Sequence, residues 1–417
     1  MTQAATARVV VTTTIPLTGY ALFAGKLRWL AGQGLDVHYV SDPGDLLDRT
    51  AEREGVTAHG LPMCRPTAPA RDLLALWRWI RLLRRLRPDI VSYSTPKAGL
   101  LTGVAARLLG VRRRVYLLRG LRYEGSRGLG RALLMGVERL TCATAHVIVA
   151  ESPSLAATVV RARIAPAAKV TVIGAGSSNG VDPAVFRPPT PTQRAVARAS
   201  FGVPAEAVVV GFVGRLAPDK GLACLAAALP ALLHAVPGAH VVLIGWPDGC
   251  PESVLAVLTA LDRVHLVDSV DDPVQRFAAF DVLCLPTRRE GLPTVVLEAA
   301  ACAIPAVTTR ATGAVDSVLD GRTGLLVDVD DPAALSGALV TLCQEPETRA
   351  RLGAAARERM LTDFYPQRIW AGLAEILCAA GTAAGTTAGA AAGTTAGAGP
   401  AGAAAGAVAG AGPAGSG

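Results

Sequence analysis

Short apolar runs alternate with longer helical patterns along the chain, and they do so in two successive blocks. The first block has strand-like runs at Arg8–Thr13, Leu35–Val40, Ile90–Tyr93, Arg114–Leu118 and Val147–Ala150. The second block has them at Val208–Val213, His240–Ile244, Val264–Leu266, Val282–Leu285 and Ala306–Thr308. Such alternation is typical of parallel sheets whose strands are joined by helices. The sequence therefore predicts an α/β protein with two doubly wound, Rossmann-like domains.

The length of the chain and a break in its pattern indicate the domain limits. The 417 residues exceed the size of one ordinary core. Glycines and prolines between positions 174 and 191 interrupt the alternation. We expect an N-terminal domain over 1–185, a C-terminal domain over 186–365, and a helix over 366–379 that crosses back to the first domain. Residues 380–417 contain only Gly, Ala, Thr, Pro, Val and Ser, so we expect a disordered tail.

Helices are predicted between the strands, among them Leu22–Gly32, Arg71–Arg87, Leu222–Ala235 and Thr294–Ala303. The helix Arg71–Arg87 combines several arginines with a broad apolar side that includes Leu73, Leu74 and Trp77. A helix of this composition either packs its apolar side on the sheet or lies on an anionic membrane. We expect packing on the sheet and keep membrane contact as the alternative.

Charge is distributed unevenly along the chain. Residues 1–180 contain 25 Lys and Arg and 11 Asp and Glu, so their net charge is +14. The net charge of the whole chain is +8, so the remaining residues carry a net negative charge. This basic first half favours an anionic partner. Nucleic acid is disfavoured as the partner, because only 4% of the residues are aromatic.

The sequence has neither a long apolar run nor a signal-peptide pattern. We therefore expect a cytoplasmic protein, with peripheral contact to the inner face of the membrane as an option.

The first motif with a chemical role is GRLAPDKG at 214–221, between a predicted strand and a predicted helix. Gly214 allows close approach of the backbone, Arg215 offers a planar fork of donors, and Lys220 supplies a point charge. A diphosphate leaving group gains charge as the bond to its sugar breaks. Two cations held there stabilise the transition state more than the ground state.

The second motif is EGLPTVVLE at 290–298, after the strand Val282–Leu285. Glu290 lies in the loop, and Glu298 lies in the helix that Pro293 begins. A carboxylate can accept two hydrogen bonds from a vicinal diol such as that of ribose. A glutamate among valine, leucine and alanine is costly unless it has a partner. The backbone N–H groups that can meet phosphate or sugar oxygens are those of Gly291, Leu292 and Thr294.

Together the two motifs resemble the retaining glycosyltransferases of family 4, which carry G-R-L-x-x-x-K-G followed by E-G-x-P-x-x-x-x-E. The segment SNGVD at 178–182, followed by Phe186, resembles the interdomain loop of that family. The resemblance covers residues 8–378. It implies the GT-B architecture, in which two Rossmann-like domains face each other across a cleft, the first binding the acceptor and the second the nucleotide sugar.

The resemblance also implies roles for individual residues. Arg215 and Lys220 would bind the diphosphate, Glu298 the ribose, and Glu290 the donor sugar near the reacting centre, so we predict that Glu290, Arg215 and Lys220 are catalytic. No metal ion or other cofactor is implied, because the two cations replace it. Residues 267–269 lie where the base-contacting loop of the family usually runs. The rest of the predicted donor-binding set is Gly214, Gly291, Leu292, Pro293 and Thr294.

The first block resembles a subgroup of family 4 that acts in bacterial cell-surface polysaccharide assembly, through TPKAGL at 95–100 and RGLR at 119–122. Arg119 stands where many members of the family have a histidine that contacts the donor sugar. An arginine there could hold a carboxylate or a phosphate on the donor or the acceptor. Ser94 and Tyr93 stand where a histidine often precedes the first segment. We place Gly19, Lys97, Arg119 and Asn179 on the acceptor or phosphate side.

The sequence thus predicts a retaining transferase that moves a sugar from a nucleoside-diphosphate sugar, with UDP favoured, to a lipid-linked saccharide. A transferase acting on a small natural product remains the main alternative. A nucleotide-sugar 2-epimerase of the same fold is a lesser one, because it is not expected to carry both motifs. A non-catalytic partner protein is opposed by the intact set of Arg215, Lys220, Glu290 and Glu298.

Overall fold

Each of the two blocks folds into one parallel sheet. The computed structural model describes residues 6–63, 68–177, 179–268, 270 and 272–379, so the predicted tail over 380–417 lies outside the described residues. The first sheet has the strand order β3-β2-β1-β4-β5-β6-β7. Its strands are β1 (Arg8–Thr12), β2 (Asp36–Ser41), β3 (Thr57–Gly60), β4 (Ile90–Ser94), β5 (Arg113–Leu118), β6 (Val147–Ala150) and β7 (Val170–Thr171).

The second sheet has the strand order β10-β9-β8-β11-β12-β13. Its strands are β8 (Val208–Val213), β9 (Ala239–Ile244), β10 (Val264–Val267), β11 (Val282–Leu285), β12 (Ala306–Thr309) and β13 (Gly324–Val327). In both sheets every recorded strand pair is parallel. The fold is therefore the predicted GT-B architecture of two Rossmann-like domains.

Helices connect the strands and cover the sheets. The helices of the first half are α1 (Pro16–Leu22), α2 (Lys26–Gly32), α3 (Asp45–Glu54), α4 (Pro69–Leu86), α5 (Pro96–Leu108), α6 (Gly128–Thr144) and α7 (Pro153–Arg161). Those of the second half are α8 (Pro191–Ser200), α9 (Leu222–Ala235), α10 (Glu252–Thr259), α11 (Pro273–Ala278), α12 (Thr294–Ala301), α13 (Ala314–Ser317), α14 (Pro332–Gln344), α15 (Pro346–Asp363) and α16 (Pro366–Cys378). None of the described helices is both long and apolar enough to cross a membrane.

Strand order reverses at β1/β4 in the first sheet and at β8/β11 in the second. Ligands of open parallel sheets bind outside the carboxyl ends of the strands at such reversals. The last helix, α16, packs Ile369, Trp370, Leu373 and Leu377 into the core of the first sheet, beside Val9 and Leu27. The end of the described chain thus returns to the first domain after the second sheet is complete.

The predicted helix over Leu22–Gly32 is wrong, because the structure has α1 and α2 separated by a short turn. Gly25 has a φ of 78°, in the left-handed region that favours glycine. A Cβ atom at Gly25 would lie 3.0 Å from the ring of Trp370 on α16. The turn places Lys26 at the start of α2, where its side chain is buried.

The expectation that the broad apolar side of α4 packs on the sheet is also wrong in part. The buried residues of α4 are Ala75, Trp79, Leu83 and Leu86. Leu73, Leu74 and Trp77 are instead 70%, 46% and 54% exposed. Apolar residues extend around more of the helix than one packed face can cover, so the sheet buries one stripe and leaves the other in solvent.

Candidate active site

The two motifs of the second domain meet at the carboxyl ends of β8 and β11. Gly221 ends the first motif with a φ of 74°, and a Cβ atom there would lie 1.7 Å from the carbonyl oxygen of Pro286. The absence of a side chain lets the loop after β8 pack against the loop after β11. Nζ of Lys220 then lies 2.6 Å from Oε1 of Glu290, in a largely buried ion pair.

The loop that carries Glu290 and Gly291 is held from both domains. The backbone N–H of Glu290 donates to the carbonyl oxygen of Thr312 at 2.8 Å. A Cβ atom at Gly313 would lie 2.5 Å from the carbonyl oxygens of both Glu290 and Gly291. From the first domain, the carbonyl oxygen of Arg119 would lie 2.5 Å from a Cβ atom at Gly291. The loop is thus fixed in position at the boundary between the domains.

Arg215 belongs to the same loop as Lys220 and lies beside two carboxylates. Its Nη1 contacts Oδ2 of Asp248, and its Nη2 lies 3.7 Å from Oδ2 of Asp219. Arg289 also donates to Asp219, at 2.9 Å. An incoming diphosphate would have to compete with these carboxylates for the guanidinium group. Asp248 and Arg289 were not predicted, because single charged residues in loops carry no distinctive pattern. Asp219 lies within the first motif but was given no role.

Glu298 is the fifth residue of α12 and is partly buried. Burial raises the pKa of its carboxyl group to about 7, and the positive charge of Arg276 opposes this rise. Among the described residues, no hydrogen bond or ion pair to the Glu298 carboxylate is found. A carboxyl group with a raised pKa and without a protein partner is a candidate for ligand binding.

The other predicted donor residues lie on the same two loops. The N–H of Gly214 donates to the carbonyl oxygen of Ile244 at 3.0 Å. Leu292 is buried, Pro293 caps the N-terminus of α12, and Thr294 is its first residue. Val267 ends β10 and Asp268 follows it, whereas Ser269 lies outside the described residues. The structure brings the predicted donor residues together, while their contacts with a donor stay predictions.

In the first domain, Arg119 follows β5 and Glu151 follows β6. Nη1 of Arg119 donates to Oε1 of Glu151 at 2.8 Å. The buried side chain of Lys26 lies nearby, and its pKa is lowered well below the usual value, first by burial and then by the positive charge of Arg119. Sequence reasoning did not find Glu151 or Lys26. The position of Glu151 directly after a predicted strand was the available signal.

Lys97 and Asn179 are also predicted to lie on the acceptor or phosphate side. Lys97 forms an ion pair with Asp72 of α4, with Nζ 2.7 Å from Oδ1. The N–H of Asn179 donates to Oγ of Ser177 at 3.2 Å. Its side-chain Oδ1 is buried and has no hydrogen-bond partner in the described ranges of the chain. The roles of Lys97 and Asn179 on the acceptor or phosphate side stay predictions.

The structure shows a packing role for Gly19. Gly19 lies inside α1 rather than in a loop, and it is buried. A Cβ atom there would lie 1.9 Å from the hydroxyl oxygen of Tyr39. The glycine therefore makes room for a core tyrosine, while its predicted place on the acceptor or phosphate side stays a prediction.

Further polar contacts join the two domains beside this site. The N–H of Ser154 donates to Oδ2 of Asp316 at 3.0 Å, and the N–H of Gly313 donates to Oγ of Ser154 at 2.8 Å. Oγ1 of Thr312 donates to Oε1 of Glu124 at 2.8 Å. These contacts hold the loop of Gly313, and through it the loop of Glu290, against the first domain.

Comparison with known proteins agrees with this architecture. A family model described as Glycosyltransferase Family 4 matches residues 26–185, and one described as Glycosyl transferases group 1 matches residues 207–345. The capsular polysaccharide biosynthesis glycosyltransferase CapM of Staphylococcus aureus is 32% identical over 352 residues, which cover 84% of this chain and 91% of CapM. A D-inositol 3-phosphate glycosyltransferase of Saccharomonospora viridis is 39% identical over 194 residues, 43% of this chain and 44% of that protein.

Solved structures show the same fold. HepE of Anabaena in complex with UDP and glucose has a TM-score of 0.74 and 18% identity, and the match covers 89% of this chain and 99% of HepE. WaaG, a glycosyltransferase involved in lipopolysaccharide biosynthesis, has a TM-score of 0.69 and 16% identity over 89% of this chain and all of WaaG (100%). Two family models match the chain, CapM is matched over 91% of its length, and the GT-B fold is shared. This chain therefore belongs to glycosyltransferase family 4 and is a glycosyltransferase.

Proposed function

We propose that this glycosyltransferase moves a sugar from a nucleoside-diphosphate sugar, with UDP favoured, to a lipid-linked saccharide in polysaccharide biosynthesis, with retention of the donor's anomeric configuration. The observation that carries the proposal is the contact of 2.6 Å between Lys220 and Glu290, which joins the two donor motifs at one end of the second sheet. The named role of CapM in capsular polysaccharide biosynthesis supports the acceptor class. The UDP and glucose bound by HepE support the donor class.

The charges at the site fit departure of a diphosphate. Arg215 and Lys220 supply two cations from one loop, each now paired with a carboxylate. A diphosphate that displaces these carboxylates would keep both cations as the bond to the sugar breaks and negative charge concentrates on the leaving group. Because these side chains would neutralise that charge, the proposed reaction requires no metal ion. Glu298 would accept the two hydroxyl groups of the ribose.

The proposal is tested by a thermal-shift and hydrolysis screen of the purified protein with UDP-, GDP-, dTDP- and ADP-sugars. A nucleotide that binds the native state preferentially raises the melting temperature. If one nucleotide sugar raises the melting temperature and is slowly hydrolysed to its nucleoside diphosphate, the proposal is supported and the base of the donor is identified. The anomer of the released or transferred sugar, read by NMR, tests retention. If none of these nucleotides shifts the melting temperature of the folded protein at millimolar concentration, the proposed donor site is wrong.

We further propose that the first domain contacts an anionic membrane through the α4 patch, defined as Leu73, Leu74 and Trp77 with the neighbouring Arg71 and Arg81. The apolar residues of the patch are exposed, and the guanidinium group of Arg81 lies 5.5 Å from the centre of the Trp77 ring. Helices that connect parallel strands run antiparallel to them, so the N-terminal half of α4 lies toward the carboxyl ends of the strands. A lipid-linked acceptor would thus be held beside the cleft.

The α4 patch is tested by co-sedimentation with vesicles of phosphatidylcholine, with or without phosphatidylglycerol. We expect binding that requires phosphatidylglycerol and is lost in the double variant Leu73→Ser and Trp77→Ser. The matched control is Leu108→Ser, because Leu108 is 67% exposed but lies at the opposite end of the same helical layer. Binding that is equal for the double variant and the wild type would contradict the assignment.

A further inference from the structure

The guanidinium group of Arg119 contacts a carboxylate on one side and, within the described part of the chain, has no partner on the other. Its side chain is only 13% exposed, and Nη1 donates to Oε1 of Glu151 at 2.8 Å. Nε and Nη2 are both buried, and no hydrogen-bond partner for them is found among the residues that the structure describes. These two nitrogens form the edge with which arginine binds the two oxygens of a carboxylate in parallel. Buried donors are nearly always paired in folded proteins, so this edge indicates a missing partner.

The charges around Arg119 favour a negative partner over a neutral one. Lys26 is buried near enough for the positive charge of Arg119 to lower its pKa, after the larger effect of burial. Glu54 is already occupied, because it accepts from the N–H groups of Gly25 and Leu27 and from Nε of Arg53. Glu151 is the carboxylate that Arg119 itself contacts. The guanidinium group of Arg119 is therefore a buried positive charge with an edge to which an added carboxylate would be attracted.

The position of Arg119 relates this edge to the donor sugar. A Cβ atom at Gly291 would lie 2.5 Å from the carbonyl oxygen of Arg119 and 2.5 Å from Oε2 of Glu151. A Cβ atom at Gly120 would lie 3.5 Å from the backbone nitrogen of Gly291. The pair of Arg119 and Glu151 thus borders the loop of Glu290 and Gly291, to which the proposed function assigns the transferred sugar.

We propose that Arg119 recognises a carboxylate on the transferred sugar, so that the donor is a nucleotide-linked uronic acid. This inference rests on the proposed function and specifies its substrate class. The carboxylate would accept from Nε and Nη2 of Arg119. Glu151 would remain a positioning residue, which holds Nη1 and thereby sets the plane of the guanidinium group.

The test compares the affinity of the protein for acidic and neutral donors of the same nucleotide by calorimetry. The probes are UDP-glucuronate and UDP-glucose, or GDP-mannuronate and GDP-mannose if the nucleotide screen selects guanosine. We expect the wild type to bind the acidic donor roughly 10- to 100-fold more tightly than the neutral one, the range of a buried hydrogen-bonded charge pair. Arg119→Gln should remove this preference, and Arg119→Lys should restore only part of it, because lysine lacks the fork.

Two controls keep the outcomes distinct. Arg112→Gln changes an 86% exposed arginine at the other end of β5 and should keep the preference. Binding of the bare nucleoside diphosphate should be the same in all four proteins, which shows that Arg119→Gln is folded.

A wild type without preference for the acidic donor overturns the inference, as does an Arg119→Gln variant that weakens both donors equally. If no nucleoside diphosphate binds the wild type, the proposed function fails and this inference fails with it.

Discussion

Nζ of Lys220 lies 2.6 Å from Oε1 of Glu290, although the two residues are separated by 70 positions in the chain. Each belongs to a loop that follows a strand of the second sheet, β8 for Lys220 and β11 for Glu290. These strands are neighbours in the sheet, so their carboxyl ends bring the loops together. The contact joins the proposed cation for the diphosphate to the proposed contact for the sugar.

Removal of the lysine should therefore abolish turnover without unfolding the protein. We expect Lys220→Ala and Arg215→Ala each to lower the rate of donor hydrolysis roughly 10²- to 10³-fold, the effect of losing a group that stabilises transition-state charge. Arg215→Ala should change the melting temperature little, because the side chain of Arg215 is 35% exposed. Lys220→Ala should lower it more without unfolding the protein, because Glu290 loses its partner in a largely buried ion pair. Arg322→Ala, at an exposed position in the same domain, is the control. Full activity in both variants would eliminate the diphosphate assignment.

Gly313 should be necessary for activity although it is not predicted to touch the substrate. A side chain at this position would collide with the carbonyl oxygens of Glu290 and Gly291, each 2.5 Å from the Cβ position. We expect Gly313→Ala to displace that loop and to lower kcat/KM at least roughly tenfold.

Gly321→Ala provides a matched control for this substitution. Its φ of 70° is similar to the 78° of Gly313, but no atom of a described residue beyond its chain neighbours lies within 4 Å of its Cβ position. Gly321→Ala should lose about 1 kcal/mol of stability from the left-handed backbone. Gly313→Ala should lose more, because of the added collision, and only Gly313→Ala should lose activity. An equal loss of activity in the two variants would show that backbone strain, and not the loop of Glu290, is responsible.

Donor affinity should depend on pH through Glu298. Its carboxyl group has a pKa of about 7 in the folded protein and an ordinary value near 4.5. As pH rises from 4.5 through 7, the unfolded state loses its proton first, so this group lowers the stability of the free protein over that range. The ionised carboxylate is the form that accepts two ribose hydroxyl groups, so the affinity for the donor should rise between pH 6 and 8, a range chosen to bracket the pKa.

Glu298→Gln should separate these two effects. We expect the variant to stabilise the free protein at pH 8 by about 1 kcal/mol, a value reduced for partial solvent exposure, and to bind the donor more weakly. Urea unfolding and calorimetric titration at pH 6 and 8 measure the two quantities. A pH profile of donor affinity that is unchanged in the variant would remove Glu298 from the ribose site.

Chelation should leave the reaction unaffected. Arg215 and Lys220 supply the two positive charges that a metal ion would otherwise bring to the diphosphate. We therefore expect the same rate of donor hydrolysis in EDTA as in buffer with added Mg²⁺. A rate that collapses in EDTA and recovers on addition of Mg²⁺ would show that these cations are insufficient.

Several parts of the fold could be predicted from the sequence because the signal is local. The strands β8 and β11 and the helix α9 have the predicted limits, since each is a continuous apolar or periodic segment. The short strands β3, β7 and β13 were missed. Each lies at the edge of its sheet. β3 and β7 lack the apolar run that marks a buried strand, and the run in β13 is only three residues long.

The sequence by itself determined the class of fold and the two donor motifs, because alternating apolar segments and loops after strands are properties of neighbouring residues. Only the tertiary structure decided which distant residues share the cleft. Glu151, Lys26 and Gly313 enter the site through the order of the strands and the contact of two domains, neither of which leaves a local pattern. The same applies to α4, whose apolar residues are divided between core and solvent by the sheet on which the helix packs.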